Sequence, residues 1–261
     1  MKQIIKRALV RLAPVSSDPG LRVLLYHAVD EADPADRLLL RIPPKTFRAQ
    51  MEILRTEGYQ VVQLKSVLVG SGDASMPRIA ITFDDGYRSQ LQAAAILDEF
   101  GFPATFFVVI RFLDGDQAAG AHYWEEWDHM GWKDIQALFG RGFEIGAHSV
   151  SHPCLTRCHP AQLQQEVKGV KSRLEDCLGQ SVISFSYPYG AYNNAVQHGV
   201  QEAGYRLACT SVYGVNCLPC AWFELRRTEI SGADRLEDFR RKLQGKYDWL
   251  GYWQRWRTRY A

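Results

Sequence analysis

No run of this sequence is long and apolar enough to span a bilayer as a helix. Charge of one sign is also scarce. Lys and Arg number 31 against 29 Asp and Glu, and a net charge of +2 gives no reason to expect nucleic acid as a partner. The opening "MKQIIKRALVRLAPVSSDPG" is basic, but Lys6 and Arg11 interrupt its apolar stretches, so the core of an export signal is missing and a cytoplasmic location is expected. A phosphate-cradling glycine loop is absent as well: "GRGFEIG" follows a helical pattern but lacks the required spacing and context. The six cysteines provide a single C-x-x-C, "CLPC" at Cys217–Cys220, and no second well-spaced pair completes a four-cysteine zinc site. They read as reduced thiols, packed in the interior by default. Internal repeats, low-complexity tracts and a clear linker are also missing.

What is present is a sustained alternation of two periods. "LRVLLYH", "RIAITF", "ATFFVVI", "FEIGAH", "SVISFSYP" and "YRLACTS" are short apolar runs of strand type. Between them lie helical patterns: "PKTFRAQMEILRTEG" with Phe47, Met51 and Leu54 on one face, "SQLQAAAILDEFG", "WKDIQALFGRG", a long helix from Pro160 to about Gly179, and "NAVQHGVQEAG". This order predicts an α/β protein with a parallel sheet, as a barrel or an open sheet, in which functional groups gather at the C-terminal ends of strands. With 261 residues the chain suits one such domain.

Those strand ends carry His27, the pair Asp84–Asp85, His148, and "YPY" at Tyr187–Tyr189. In "AHSVSHP", His148 and His152 are spaced so that a tight loop can aim both imidazoles at one ion. A carboxylate from another strand end completes a His-His-carboxylate face that leaves positions open for water and substrate. One acid of "FDDG" ligates while its neighbour takes a proton from water. Residue types and spacing alone do not decide which acid does which.

"TFDDG" followed by "HSVSH" resembles the first two motifs of the polysaccharide deacetylase family, the NodB-homology enzymes of carbohydrate esterase family 4. "SFSYPYG" resembles the third. The likeness covers roughly residues 21–230. It implies a distorted (β/α) barrel and removal of N-acetyl, sometimes O-acetyl, groups from glycans. By motif position it implies Asp84 as catalytic base and Asp85, His148 and His152 as ligands of a divalent metal, usually zinc, with cobalt or nickel as alternatives. It also implies the backbone N–H of Tyr189 as a donor to the oxyanion. Two departures matter. The commonest form has an arginine three residues before that aromatic, where this chain has Ser186, and Arg227 in "LRRTEI" is the candidate replacement for orienting the base. No Leu-x-His motif stands near the C-terminus; instead "LLYHAVDE" resembles the N-terminal strand of the exopolysaccharide deacetylase branch, whose motif order is circularly permuted, and this implies His27 as the acid that protonates the leaving amine.

Three divisions are expected: a basic arm over 1–20, the catalytic domain over 21–245, and an aromatic and basic tail over 246–261. Tyr187 and Trp124 are candidate substrate contacts; Trp127 and Trp132 suit a sugar subsite or simple packing. In the tail, Trp249, Trp253 and Trp256 share one helical face, which fits a docked helix or an interfacial one. The arm and the tail are therefore candidate sites of peripheral contact with the inner membrane face. The expected partner is an N-acetylated carbohydrate: an exopolysaccharide, a cell-surface glycan or a lipid-linked precursor. The rival functions are an O-acetyl esterase, another C–N hydrolase acting on a glycan, and a glycan-binding module without activity.

Overall fold

The structure is a computed structural model, and it describes residues 20–69, 76–115, 127–217, 220–252 and 254. Residues 1–19 of the basic arm, Trp124, Trp253 and Trp256 lie outside the described residues. The first strand, β1 (Leu21–Tyr26), is buried along its whole length, as a strand covered on both faces must be. A two-residue pair, β2 (Ala28–Val29) and β3 (Arg41–Ile42), forms a small separate sheet above it. Helix α1 (Pro44–Thr56) starts with proline at its first position and buries Phe47, Met51 and Leu54, the face expected from their spacing. Strands β4 (Gln60–Val61), β5 (Arg78–Phe83) and β6 (Thr105–Val108) follow, with helix α2 (Gln90–Phe100) between the last two.

A one-turn helix α3 (Ile110–Leu113) and then α4 (Trp132–Gly140) lead to β7 (Glu144–Ala147). The long helix α5 (Pro160–Leu178) is capped by the His159 ring, whose Nδ1 accepts from the Gln162 N–H, and is closed by Gly179. After it come β8 (Ser184–Ser186), α6 (Asn194–Glu202), β9 (Leu207–Cys209), β10 (Arg227–Glu229) and α7 (Leu236–Leu243).

All pairings in the main sheet are parallel, in the order β10-β1-β5-β6-β7-β8-β9, with β4 beside β5. The two ends nearly meet. The Leu225 N–H donates to Ala208 O at 2.9 Å and the Thr210 N–H to Leu225 O at 2.8 Å, so the segment just before β10 continues the sheet from β9. The result is a parallel sheet almost closed into a barrel, with helices outside. Between the sheet and its helices, Tyr26, Phe83 and Phe106 stack in series, with Phe47 of α1 against the first two. Each such aromatic contact contributes about 0.5–1.5 kcal/mol beyond its buried area.

The beginning of the tail is docked on this barrel. Asp248 accepts two hydrogen bonds from the buried Arg22 of β1, at 2.8 and 3.0 Å. Tyr247 packs with Tyr213, and Trp249 and Leu250 join them. No helix among the described residues is long and apolar enough to cross a membrane. None of the six cysteines forms a disulfide; Cys209 is buried as expected, Cys154, Cys158, Cys177 and Cys220 are half-buried, and Cys217 is exposed because its loop runs over the surface.

Candidate active site

Strand β5 ends in the turn Asp84-Asp85-Gly86. Asp85 and Gly86 both take left-handed backbone, with φ of 72° and 73°. Glycine fits the second of these because a Cβ there would press on Val108 Cγ1 at 3.3 Å as well as being strained. The turn sends the two carboxylates in different directions. Five non-glycine residues among those described have left-handed φ, and four of them are Asp85, Ser149, His152 and Tyr189, all at this site. Strained backbone gathered in one place is characteristic of a functional centre held in shape by its surroundings.

Asp84 is gripped by Arg227. Two guanidinium nitrogens donate to its two oxygens, each at 2.7 Å. Arg227 is fully buried and is itself fixed by donating from Nε to Thr210 O at 2.8 Å. The Ser186 hydroxyl completes the cluster, donating to Asp84 Oδ2 at 3.1 Å and accepting from Arg227 Nη2 at 2.9 Å. Burial by itself pushes the Asp84 carboxyl up, but Arg227 and His148 outweigh it and hold it below the ordinary carboxylate range. Asp84 is therefore an ionised, aimed acceptor. Gln90, buried at the start of α2, ties the neighbouring backbone together by donating to both Asp84 O and His27 O.

Asp85 faces the two histidines. Its Oδ1 lies 3.4 Å from His148 Nε2 and 3.3 Å from His152 Nε2, and the two Nε2 atoms are 3.3 Å apart. All three residues are buried. Donor atoms held about 2.0–2.1 Å from a tetrahedral zinc stand about 3.4 Å from one another, so this triangle has the size that one divalent ion requires. The donor chemistry also fits. His148 Nδ1 lies 2.7 Å from Ser186 O, which assigns the proton to Nδ1 and leaves the Nε2 lone pair facing the other donors.

Burial outweighs the nearby carboxylate at His152 and lowers its pKa to about 4, so it is neutral near pH 7. At His148 burial also opposes the charge, yet Asp84 and Asp85 prevail and push the pKa up. Burial raises the Asp85 carboxyl, but the two imidazoles overcome that and hold it well below the usual range.

The loop carrying these histidines has a support that its own sequence does not announce. Glu166 on α5 accepts from the N–H groups of Val150 and Ser151 at 2.9 and 2.8 Å, and from the Ser151 hydroxyl. The Ser149 hydroxyl accepts from His152 N–H at 2.9 Å. A buried carboxylate thus satisfies the amides that the left-handed turn would otherwise strand.

These groups open onto a cavity of about 280 Å³. His27 lines it, as do Asp84, Asp85, His148, His152 and Tyr189. His27 is half-buried, and its Nδ1 is buried with no hydrogen-bond partner among the described residues. The Tyr189 ring lies 4.7 Å from that of His152, its hydroxyl donates to His152 O at 3.4 Å, and it remains 45% exposed at the rim.

The tertiary structure thus brings together His27, Asp84, Asp85, His148, His152 and Tyr189, with Arg227 behind Asp84. Tyr187 is a correction to the sequence reading. It is fully buried, stacks on Tyr192 and donates its hydroxyl to Phe223 O, so it packs the barrel and does not face the cavity. Trp127 is half-buried between Tyr87 and the Arg41 guanidinium, and Trp132 bonds Asp114 from α4. His129 is buried between Phe112 and Tyr87, where burial lowers its pKa to about 4. Gln90, Glu166 and the bridging part of Ser186 are what sequence reasoning missed. Their only sequence signal is a polar residue on a face otherwise expected to be apolar.

Comparison with known proteins places this site in context. The family model described as polysaccharide deacetylase matches residues 71–208. The Bacillus subtilis (strain 168) protein YxkH, named for the same family, is 27% identical over 215 residues, which cover 81% of this chain and 71% of that protein. A chitooligosaccharide deacetylase of Rhizobium leguminosarum bv. trifolii is 28% identical over 139 residues, 52% of this chain and 56% of its own length. Among solved structures, the Streptococcus pyogenes deacetylase PplD, in complex with acetate, superposes with a TM-score of 0.75 at 23% identity over 87% of this chain and 99% of that one. That last likeness speaks for the fold.

Proposed function

Because the chain belongs to the polysaccharide deacetylase family, a hydrolase family acting on N-acetyl amide bonds, we propose that it removes N-acetyl groups from an aminosugar-containing glycan in a metal-dependent reaction that releases acetate. The observation that carries this reading is the division of the adjacent acids: Asp85 faces two histidines at ligand spacing while Asp84 is held by Arg227 a short way off. Asp85, His148 and His152 would hold the ion. When bound there, a divalent metal, zinc foremost, supplies Lewis-acid polarisation of the acetyl carbonyl and acidifies water.

The chain's own residues account for the proton movements. Asp84, ionised and fixed in direction, accepts the proton of the attacking water. Arg227 and Ser186 keep its lone pairs aimed, and Arg227 keeps its pKa low. The Tyr189 N–H is the donor assigned to the oxygen that gains charge as the tetrahedral carbon forms. His27, across the cavity, gives a proton to the sugar nitrogen as the C–N bond breaks, and histidine suits that duty because its ordinary pKa lies near neutrality. The acetate of PplD is that protein's ligand, and it is the product expected here.

Acetate release from a panel of N-acetylhexosamine oligomers, with and without chelator, tests the reading. Chelator-sensitive release is expected. Release that persists after complete metal removal, or release only from O-acetylated glycans, would replace it. His27→Ala separates amidase from esterase, because an alcohol leaving group needs less help from an acid than an amine does. The loss is expected to be greater on the N-acetyl substrate.

A further inference from the structure

The cavity holds a third carboxylate that the proposed chemistry does not use. Strand β10 reads Arg227-Thr228-Glu229, and alternate residues of a strand share a face. Arg227 points inward to Asp84, and Glu229, at the C-terminal end of the strand, lines the same cavity as His27 and Asp85. Its place is firm. Glu229 pairs in register with Leu25 of β1, and its carbonyl accepts from the Tyr213 hydroxyl at 3.1 Å and from Lys242 Nζ at 2.7 Å.

The carboxylate itself has no hydrogen-bond or ion-pair partner among the described residues. Lys242 touches only the Glu229 carbonyl and gives its charge to Asp234. Tyr213 likewise meets the carbonyl. The other two acids of the cavity are compensated, Asp84 by Arg227 and Asp85 by the two histidines. Among the described residues, Glu229 is therefore the uncompensated negative charge of the wall.

A carboxylate of this kind can only accept hydrogen bonds. Sugar hydroxyls and ammonium groups satisfy it, whereas an anionic substituent placed beside it is repelled, more strongly as the bound glycan displaces water. Discrimination by a built-in repulsion is a general route to specificity. We propose that Glu229 is a specificity-determining residue that selects neutral or amine-bearing aminosugar chains and rejects glycans with a uronate or phosphate beside the acetamide. This inference rests on the deacetylase reading of the same site.

The test uses the metal-loaded full chain, wild type and Glu229→Gln, matched for metal content and circular dichroism. The probes are an N-acetylglucosamine pentamer and a hexamer of alternating glucuronate and N-acetylglucosamine. Acetate release and calorimetric binding are measured for both. The wild type is expected to favour the neutral oligomer, and Glu229→Gln is expected to shrink that preference roughly tenfold, with a higher KM for the neutral chain, as for a lost hydrogen bond to a charged group. Glu229→Asp, which keeps the charge, retains the preference.

An unchanged ratio in Glu229→Gln overturns the proposal. So does a fall in kcat at constant KM, which would make the residue part of the chemistry, or a wild type that binds both probes equally. If the wild type releases acetate from neither probe, the deacetylase reading fails by itself, and the binding ratio still decides the role of Glu229.

Discussion

Arg227 holds both oxygens of Asp84 at 2.7 Å although the two residues are 143 positions apart in the chain. The pair is fully buried on the arginine side and nearly so on the other. It orients the proposed base and neutralises it. A guanidinium does this in a way an ammonium does not, because its fork matches two carboxylate oxygens at once. Arg227→Lys is expected to lower turnover about 10–100-fold, the scale of a positioning group acting on a general base. Arg227→Ala, which strands a buried carboxylate, is expected to cost roughly 3–5 kcal/mol of stability as well. Steady-state kinetics with thermal unfolding of each variant checks both effects.

Asp84→Asn keeps the shape of the side chain and removes its basicity. Turnover is expected to fall by about 100-fold or more, within the range for loss of a general base. Metal content by elemental analysis should stay at the wild-type value, because Asp84 is not among the three converging donors. Activity near wild type would refute the assignment of the base.

Glu166 touches no ligand atom, yet it holds the amides of the loop between the two histidines. Glu166→Gln is expected to weaken metal affinity about 10–100-fold, as is typical when an outer support of a metal site is removed. His148→Ala should abolish binding. Titration of the metal-free protein with zinc, followed by calorimetry, separates the two outcomes.

The pH dependence of metal loading follows from His148. Its pKa is raised by Asp84 and Asp85 against the effect of burial, so a proton competes with the ion at Nε2. Affinity should therefore begin to fall at a pH above the ordinary histidine value of about 6.5 and continue to fall on acidification. In the metal-free protein the signs are opposed. The raised pKa of His148 contributes stability that is complete below the unfolded value and is lost as pH rises through the folded one. The depressed carboxyls of Asp84 and Asp85 contribute stability that is present above the ordinary carboxylate range and is lost as pH falls through their lowered values. Zinc titrations between pH 5 and pH 8, and unfolding midpoints of the metal-free protein from about pH 2 to pH 8, check both signs.

Tyr187→Phe removes one hydrogen bond to Phe223 O from the interior and nothing from the cavity wall. The expected result is a loss of about 1 kcal/mol in stability with KM unaltered. A raised KM would restore Tyr187 as a substrate contact.

Much of this protein was legible before folding was considered. Strand and helix periods predicted the parallel α/β order. The alternation from Leu21 through Cys209 is observed, because burial on both strand faces and on one helix face leaves its mark locally. The gathering of Asp85, His148 and His152 was legible too, since the histidines lie close in sequence and the acids adjoin at a strand end. Residue types and spacing left open which acid faces the histidines, and the family resemblance alone chose between them. Asp84 and Asp85 differ by one position, and only the left-handed turn at Asp85 and Gly86 aims one at Arg227 and the other at the histidines. His27 and Arg227 lie outside the stretch that matches the family model, and they reach the site because β1 pairs with both β5 and β10. Glu166, Gln90 and Glu229 carried no readable motif. Strand ends, spacings and turn residues are properties of the chain itself. Which distant charge neutralises which, and which carboxylate is left facing the cavity, was decided by closure of the barrel, because electrostatic partners are chosen by distance in space.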